Sequence, residues 1–493
     1  MTFALPSAAD IESGLKVWSE TNPQLKSLIA QQTPPAKALR FVGLRLCDGG
    51  VSDTVVDMFM AATALSPQDA GLWNDLSTVL QAVGRTDDAM ECVRQSLKRN
   101  PSQPKAWSYL GLLHDGRSQA DDAEHAFLAA LELDPRQATA LRGLGFLYFR
   151  QRRFAAAAER LASAIACGEA GQEVHACLGL TLWSIGDFAG AANAFAQQVR
   201  ISPEPQAARN WAQTRMQAAL IAGVGAEDAH RIYRESAGPH CEDTDTVSAT
   251  AFHQLSGFGR REAAITIGRH RLSRAPDNPV QQYLLAALEQ NAPPRAPDDY
   301  LRSHFDAFAV GFDHQLVNVL DYHVPEKLSA LLAPRLGRVL DMGCGTGLAG
   351  PLLRPKSAHL TGIDISPRML EQAGHRGVYD ALVESEILEF LRVNTEPFDC
   401  VFAADVLVYF GDLSSLMSAA ARDVKSNGCF AFSIETVETG EHAVLPSGRF
   451  AHSLSYIAKV SQPHFSLAIS QPTTIRIEAN RPAQGALIVL ERR

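Results

Sequence analysis

Large and small apolar residues recur at fixed positions between residues 36 and 205, with a period of 34 residues. Frames of this length begin at Ala36, Ala70, Pro104, Ala138 and Gln172. The seventh position of each frame is large and apolar: Val42, Leu76, Leu110, Leu144 and Leu178. The eighth position is small: Gly43, Ser77, Gly111, Gly145 and Gly179. A large residue beside a small one predicts that each frame is a pair of closely packed antiparallel helices.

The second half of each frame continues this pattern. Position 20 is alanine in four frames and valine in the first: Val55, Ala89, Ala123, Ala157 and Ala191. Position 24 is large and apolar: Phe59, Val93, Phe127, Leu161 and Phe195. Position 32 is proline in four frames, where it ends the second helix because proline cannot continue one: Pro67, Pro101, Pro135 and Pro203. Glu169 departs from this rule, so we expect a different turn after Cys167.

This pattern resembles the tetratricopeptide repeat (TPR), with Trp73 and Trp107 as packing residues at its aromatic fourth position. The resemblance implies five repeats over 36–205, preceded by a helical cap over 1–35. The period degrades after Pro203, so residues 206–290 are predicted to be divergent or capping helices, with Ala263 at a small position. The proline-rich stretch 291–299 is the predicted linker to a second domain over 300–493.

A solenoid of this kind exposes a concave face lined by its first helices. The positions expected to line it hold both apolar and cationic residues: Arg40, Asn74, Leu112, Arg142, Phe146, Phe149 and Trp183. We therefore expect this face to bind a peptide, a protein substrate or a partner protein. The alternative is that it holds the chain's own catalytic domain or a second copy, so a homo-oligomer is possible.

A glycine-rich loop follows a predicted buried strand in the second half of the chain. Asp341 stands at the carboxyl end of this strand, and Gly343, Gly345 and Gly347 follow it. Glycines let a backbone bend sharply and approach a ligand closely. A second predicted strand, 359–363, ends at Asp364, where an acid can accept hydrogen bonds from both ribose hydroxyls. These features predict a cofactor that contains a nucleoside.

Two cofactors fit this arrangement. The spacing Gly345-x-Gly347-x-x-Gly350 also matches the dinucleotide fingerprint, so an NAD-dependent oxidoreductase stays as an alternative. Three features favour S-adenosylmethionine (SAM). An acid before the glycines can receive its ammonium group, residues 300–493 leave no room for a separate substrate domain, and the tail has the pattern of an antiparallel hairpin. The hairpin strands are predicted at 474–478 and 486–491, with a turn from Asn480 to Gly485.

Residues 300–493 resemble a class I SAM-dependent methyltransferase, and the whole chain resembles the bacterial TPR-containing predicted methyltransferases. The resemblance implies an α + α/β protein, with a TPR solenoid followed by a Rossmann-like sheet and a terminal hairpin. It assigns the methionine part of SAM to the glycine loop: Asp341, Gly343, Cys344, Gly345 and Gly347. Asp364 would hold the ribose, and Ile365 and Met369 would flank the adenine. Glu386 and Ile387 would contact the adenine amino group, with Glu in place of the usual Asp. The Cys344 thiol is expected to pack rather than to react.

Three further residues are candidates for the chemistry. Asp405 ends the predicted fourth strand, at the sheet edge where ligands bind, and is a candidate base, cofactor contact or loop-ordering residue. Residues 304–313 resemble the lid helix of the family, and the run from Ser447 to Ser453 also resembles a family segment. In that run, Arg449 can bind a carboxylate through its planar fork, and His452 can take a proton from the acceptor. The alternative is that Arg449 and His452 only order their loop.

Composition and charge limit the other possibilities. The chain has 493 residues and a net charge of −9, and the parts before and after Asp298 are each acidic, so nucleic acid is not an expected partner. No apolar run of about 18 residues predicts a membrane span. The start lacks a basic signal-peptide region, so a cytoplasmic location is expected. The eight cysteines form no Cys-x-x-Cys pair, and no metal site is expected.

These observations predict a methyltransferase that moves the SAM methyl group to an oxygen or nitrogen atom. Its substrate would be a peptide, a protein or a biosynthetic intermediate that the repeats recruit or present. The residues alone also allow two other functions. One is an interaction scaffold whose second domain binds SAM without catalysis, and the other is the NAD-dependent oxidoreductase.

Overall fold

The computed structural model describes residues 4–478 and 481–493, without the side chains of Asn318 and Arg481. The described chain divides into two compact units. The first contains the residues up to Trp183 together with Asn193–Pro203. The second contains Ser184–Ala192 and Glu204–Arg493.

Helices follow one another without strands up to Ile201. Their bounds are α1 Ala8–Thr21, α2 Pro23–Ala30, α3 Pro35–Cys47, α4 Asp53–Leu65, α5 Ala70–Ala82, α6 Thr86–Arg99, α7 Pro104–Gly116, α8 Ala120–Leu133, α9 Ala138–Arg150, α10 Phe154–Ala166, α11 Gln172–Ser184 and α12 Phe188–Ile201. The first helix of each predicted pair begins at or next to the first residue of its 34-residue frame. The chain therefore forms the helix pairs that the periodicity predicts.

The small residue at position 8 is required by contact with position 24. A Cβ atom at Gly111 would lie 2.6 Å from the ring of Phe127, and one at Gly179 would lie 2.6 Å from the ring of Phe195. Both phenylalanines are fully buried and cannot easily give way. Trp73 and Trp107 each donate a 2.9 Å hydrogen bond from the indole to a proline carbonyl six residues earlier, which fits the predicted packing role.

The second unit continues with helices and then with a sheet. The helices are α13 Pro205–Ile221, α14 Ala226–Ala237, α15 Thr244–Gly257, α16 Arg261–Arg274, α17 Pro279–Leu288, α18 Asp298–Phe308, α19 Val324–Ala330, α20 Gly350–Leu353, α21 Pro367–His375, α22 Ile387–Val393, α23 Ser414–Asp423 and α24 Leu454–Ser461. The strands are β1 Leu336–Met342, β2 Ser357–Asp364, β3 Ala381–Glu384, β4 Phe398–Ala403, β5 Val424–Thr436, β6 His442–Val444, β7 Phe450–His452, β8 Phe465–Glu478 and β9 Arg481–Arg492.

The sheet is mostly parallel. Strands β3, β2, β1, β4 and β5 lie side by side in this order and are parallel, while β9 pairs antiparallel with β5 and β8 antiparallel with β9. The order reverses next to β1, so the crevice at the carboxyl ends of β1 and β4 is the expected ligand site. Buried apolar residues of β1, β4 and β5 form the core on both faces of the sheet.

Two predicted boundaries are wrong. The predicted turn extends too far, because Arg481 to Gly485 continue the β8–β9 ladder as strand, while Asn480 lies outside the described residues. The predicted lid helix over 304–313 is also too long. Helix α18 ends at Phe308, where the amide of Gly311 donates to the carbonyl of Phe308 in a turn, and a π-helix follows at His314–Val319.

The stretch predicted as a linker is bonded to the α/β part of the unit. Arg295 forms a β-bridge with Phe410, and the amide of Ala296 donates to the carbonyl of Tyr409 at 2.9 Å. In the described part of the chain, no helix is long and apolar enough to cross a bilayer.

Candidate active site

A cavity of about 840 Å³ opens at the carboxyl edge of the parallel strands. Its walls come from the loop after β1, the residues after β2 and β4, and helices α15, α17 and α18. Ligand sites typically enclose about 300–1,000 Å³, so this space has the size of a ligand site. All of these walls belong to the second unit.

Asp341 lies at the base of this cavity. Its side chain is 2% exposed, and its Oδ2 accepts a 2.6 Å hydrogen bond from the hydroxyl of Tyr379. Burial raises the pKa of Asp341 to about 7, while the bond from Tyr379 acts in the opposite direction. A cationic ammonium group in the cavity would stabilise the ionised carboxylate, which is the predicted role of this residue.

The backbone of the glycine loop bends sharply next to the cavity. Gly343, Gly345 and Gly347 have φ values of 69°, 54° and 82°, a region that favours glycine. A Cβ at Gly343 would lie 2.7 Å from Val406, whereas one at Gly345 would lie next to the open cavity, 3.8 Å from the nearest ring atom of Phe312. The backbone at Gly345 can therefore approach a ligand without a side chain between them.

Cys344 is buried between these glycines, and its backbone amide donates to the carbonyl of Ile363 at 2.8 Å. Burial raises the pKa of its thiol well above the usual value, so the thiol stays protonated. This agrees with a packing role for its side chain.

Asp364 ends β2 and contacts the same loop. Its two carboxylate oxygens accept 2.9 Å bonds from the backbone amides of Gly345 and Ser366. Burial raises its pKa, while these amide bonds act against that rise. Each oxygen keeps a further lone pair, so the carboxylate can still accept from ribose hydroxyls. It also holds the glycine loop in place.

The predicted adenine contacts lie in different surroundings. Ile365, Glu386 and Ile387 line the cavity, whereas Met369 is fully buried and is not part of its wall. The Glu386 side chain caps α22 by accepting from the amide of Glu389, and it pairs with Arg295 at 2.8 Å. Each oxygen of Glu386 thus accepts one bond and keeps a further lone pair, so the adenine contact that the family resemblance assigns to it stays a prediction.

Asp405 lines the cavity after β4, at an unusual φ of 61°. Its carboxylate pairs at 3.2 Å with the guanidinium of Arg476, which is 2% exposed and also pairs with Glu435 and Glu478. A positive φ is uncommon for a residue other than glycine, and the buried ion pairs and a bond from the amide of Asp405 to Ser433 hold the backbone there. This arrangement favours an ordering role for Asp405.

Arg449 reaches the cavity, but its guanidinium is already paired. Its Nη1 lies 3.0 Å from the carboxylate of Glu478, a residue of β8. Burial lowers the pKa of Arg449, but Glu478, Tyr409, Asp405 and Glu435 together outweigh this effect and raise it overall. Both contacts with the Glu478 carboxylate use Nη1, so an acid of the same chain balances the charge of Arg449 without filling its fork. The role of Arg449 toward a substrate carboxylate therefore stays a prediction.

His452 does not line the cavity. It lies in β7 with no exposed surface, and its Nε2 donates at 3.1 Å to the carbonyl of Gly411. Burial lowers its pKa to about 4. The predicted role as a base is corrected because this imidazole lies outside the wall of the cavity, and so outside the space where an acceptor would bind. Its ring stacks on Tyr456 instead.

Another histidine faces the cavity; the sequence indicates its stretch, 304–313, as a candidate to face the substrate, but does not single out this residue. His304 of α18 is stacked between Tyr300 and Phe308, at ring distances of 5.5 Å on both sides. Burial lowers its pKa to about 4. The spacing of these three residues, four apart each time, is a sequence signal for one face of a helix. Tyr379 and Arg476 were missed, because their partners lie far away in the chain.

The chain matches known families in both parts. Residues 340–432 match the family model for the methyltransferase domain, and residues 74–119 and 114–172 match that for the tetratricopeptide repeat. A ubiquinone biosynthesis O-methyltransferase of Xylella fastidiosa is 29% identical over 150 residues, which are 27% of this chain and 59% of that protein. A malonyl-[acyl-carrier protein] O-methyltransferase of Legionella pneumophila is 33% identical over 143 residues, 27% of this chain and 49% of that protein.

The chain thus spans only about half to three fifths of the length of these curated relatives. Among solved structures, the N-methyltransferase NodS of Bradyrhizobium japonicum in complex with S-adenosyl-L-homocysteine is similar with a TM-score of 0.30 and 20% identity, over 44% of this chain and 99% of that one.

The sheet order and the family match over residues 340–432 identify the α/β part as a methyltransferase domain. The chain joins this domain to tetratricopeptide repeats, as its sequence predicts. In the described ranges 4–478 and 481–493, no group of three or more metal-ligating side chains could hold a metal ion.

Proposed function

We propose that this protein is a SAM-dependent methyltransferase that methylates a hydroxyl oxygen of an acceptor bound in the cavity. The observation that carries the proposal is the double character of this cavity. One part of its lining, the first wall, holds the acids and glycines suited to SAM, Asp341, Gly345 and Asp364, and another part is apolar and aromatic. The names of the two curated relatives, both O-methyltransferases, support oxygen over nitrogen.

The residues of the first wall fit SAM by charge and by shape. The open backbone at Gly345 allows close approach, Asp341 can receive the ammonium group, and Asp364 can receive the ribose hydroxyls. When bound, SAM supplies an activated methyl group on a sulfonium. The protein's contribution is to align the acceptor oxygen with that methyl group and to exclude water from the cavity.

We also propose that the first unit recruits a protein or peptide that presents the acceptor. The polar residues predicted for its concave face are bonded within the unit, with Arg40 paired to Asp75 at 2.6 Å and Asn74 bonded to Gln103 at 2.8 Å. The apolar residues Leu112 and Phe146 are partly exposed. This surface suits an apolar segment better than an acidic one.

Methyl-labelled SAM tests both parts of this proposal. The full chain is incubated with the protein fraction and, separately, with the small-molecule fraction of a bacterial extract. We expect labelled product with the wild-type protein and with Glu371→Ala, an exposed position on α21. We expect none with Asp364→Ala. Hot hydriodic acid should release the label as methyl iodide, as it does from O-methyl groups, and product formation with all three proteins alike would contradict the assignment.

Recruitment is tested with Phe146→Asp, which places a charge on the apolar part of the repeats. It should lower labelling in the protein fraction at least fivefold and leave SAM affinity unchanged. Glu132→Asp, at an exposed position of α8, is the control. Equal labelling by both variants would exclude this role for the repeats.

A further inference from the structure

Two helices that precede the α/β fold in the sequence form part of the cavity wall. His253, Gly257 and Phe258 at the end of α15, and Val280 of α17, line the same space as the glycine loop. Both helices belong to the second compact unit, although their sequence continues the helical region. They stand at the cavity together with helix α18.

These helices are firmly attached to the loop that carries Arg449. The hydroxyl of Ser256 donates to the carbonyl of Pro446 at 3.0 Å, and the hydroxyl of Tyr283 donates to the carbonyl of Gly448 at 2.7 Å. Gly448 has a φ of 80°, and a Cβ there would lie 3.0 Å from the ring of Tyr283. Only glycine fits at this close approach, so the loop needs a glycine at the point where it packs against Tyr283 of α17.

A row of aromatic rings connects α17 with the cavity. Tyr283 packs on Tyr300 at 4.4 Å, Tyr300 stacks on His304, and His304 stacks on Phe308 with an interplanar angle of 23°. Aromatic clusters of this kind pack well against a further planar ring, by offset stacking or edge to face. The row ends at the cavity with His304 and Phe308, which both line it.

The charged groups of the cavity already have partners. Arg295 pairs with Glu386, and Arg449 pairs with Glu478. Arg476 pairs with Asp405 at 3.2 Å. Among the described residues of the wall, no arginine is therefore left unpaired to receive a carboxylate.

The histidines of the wall do not supply a positive charge either. Burial lowers the pKa of His304 to about 4 and also lowers the pKa of His253, so both imidazoles are neutral near pH 7. The imidazole of His304 has no hydrogen-bond partner among the described residues. A neutral imidazole can accept a hydrogen bond from a hydroxyl group.

We propose that helices α15 and α17 complete the acceptor site, and that the acceptor is an uncharged planar aromatic molecule whose hydroxyl group bonds to His304, rather than a carboxylate. This proposal rests on the proposed function and names its substrate class. His304 accepts the hydroxyl proton as the oxygen–methyl bond forms and the sulfur–methyl bond breaks. The sulfur keeps the electron pair of the broken bond, and the imidazolium then releases its proton to water.

The test uses two probes that share one ring system, 2-naphthol and 2-naphthoate. Their binding to the full chain is measured by calorimetry, with and without SAM. We expect 2-naphthol to bind at least tenfold more tightly than 2-naphthoate. Val280→Asp should lower the affinity for 2-naphthol at least fivefold without changing the affinity for SAM. Val17→Asp, at a 55% exposed position of α1, should leave both affinities unchanged.

His304→Gln separates binding from proton transfer, because glutamine accepts a hydrogen bond but cannot take the proton. It should keep 2-naphthol affinity within about threefold and lose at least 90% of labelled methyl transfer from SAM to 2-naphthol. No transfer by the wild-type protein with both ligands bound, or equal transfer by the variant, would overturn the assignment of His304.

Equal affinity for the two probes, no binding of 2-naphthol, or no effect of Val280→Asp would overturn the assignment of the wall. Failure of SAM to bind would instead contradict the proposed function. The binding of 2-naphthol is also measured without SAM, and this result tests the aromatic wall by itself. A failure of the wall assignment can therefore be told apart from a failure of the proposed function.

Discussion

The hydroxyl of Tyr379 donates a 2.6 Å hydrogen bond to the buried carboxyl group of Asp341, where β1 meets the glycine loop. Burial raises the pKa of Asp341 from its usual value to about 7. The native carboxyl group therefore keeps its proton at pH values where the unfolded chain has already lost it. Raising the pH from about 4 to about 7 therefore lowers the free energy of unfolding, by at most about 1.4 kcal/mol per pH unit.

We expect the Asp341→Asn variant to lack this contribution, because its amide has nearly the same shape and cannot titrate. The free energy of unfolding of the wild type minus that of the variant should fall as pH rises from 4 to 7, and should level off above about 7. Urea denaturation at matched pH values measures the difference. A difference that stays constant or rises with pH would contradict the raised pKa.

Asp364 provides a second prediction, for cofactor affinity. Asp364→Ala removes the two hydrogen bonds expected with ribose, at about 1–2 kcal/mol each. The binding free energy of SAM should therefore become about 2–4 kcal/mol less favourable. It also removes the acceptors of the Gly345 and Ser366 amides, so the glycine loop loses order. Calorimetry with SAM measures the effect, and Glu371→Ala should bind SAM as the wild type does. Unchanged affinity in Asp364→Ala would exclude this residue from the cofactor site.

Much of the fold was predictable because single positions have strict local requirements. Gly111 must be small, since Phe127 lies against it, and this requirement recurs every 34 residues. The glycine loop is equally visible, because Gly343 and Gly347 adopt positive φ values that favour glycine. Such constraints act on neighbours in the chain or on regular repeats, so they leave a pattern in one sequence.

The orientation of side chains at the site was less predictable. His452 and Arg449 stand three residues apart, yet the first is fully buried in β7 and the second reaches the cavity. Arg449 is paired with Glu478, which comes from a strand that is distant in the sequence. The approach of α15 to the cavity likewise depends on tertiary packing, which no local pattern records.

The buried ion pairs of Arg476 give a third prediction. Arg476→Met would leave Asp405 and Glu435 near one another without their shared cation. Removing one partner of a buried pair typically costs about 3–5 kcal/mol, so the free energy of unfolding should fall by that amount. Lys459→Met, which breaks the exposed pair with Glu441, should cost less than about 1 kcal/mol. Similar losses in the two variants would show that the Arg476 cluster does not stabilise the fold.

Two glycines of α7 give the fourth prediction, on the repeats. Gly111→Ala places a methyl group 2.6 Å from the ring of Phe127, which is fully buried and has little room to move. Overpacking of this kind costs about 1–3 kcal/mol, and the better helix propensity of alanine returns at most about 1 kcal/mol. A Cβ at Gly116 would meet nothing within 4 Å, so Gly116→Ala should be neutral or slightly stabilising. Urea denaturation of both variants checks the contrast, and a Gly111→Ala variant as stable as Gly116→Ala would show that the helix pair tolerates a side chain at the eighth position.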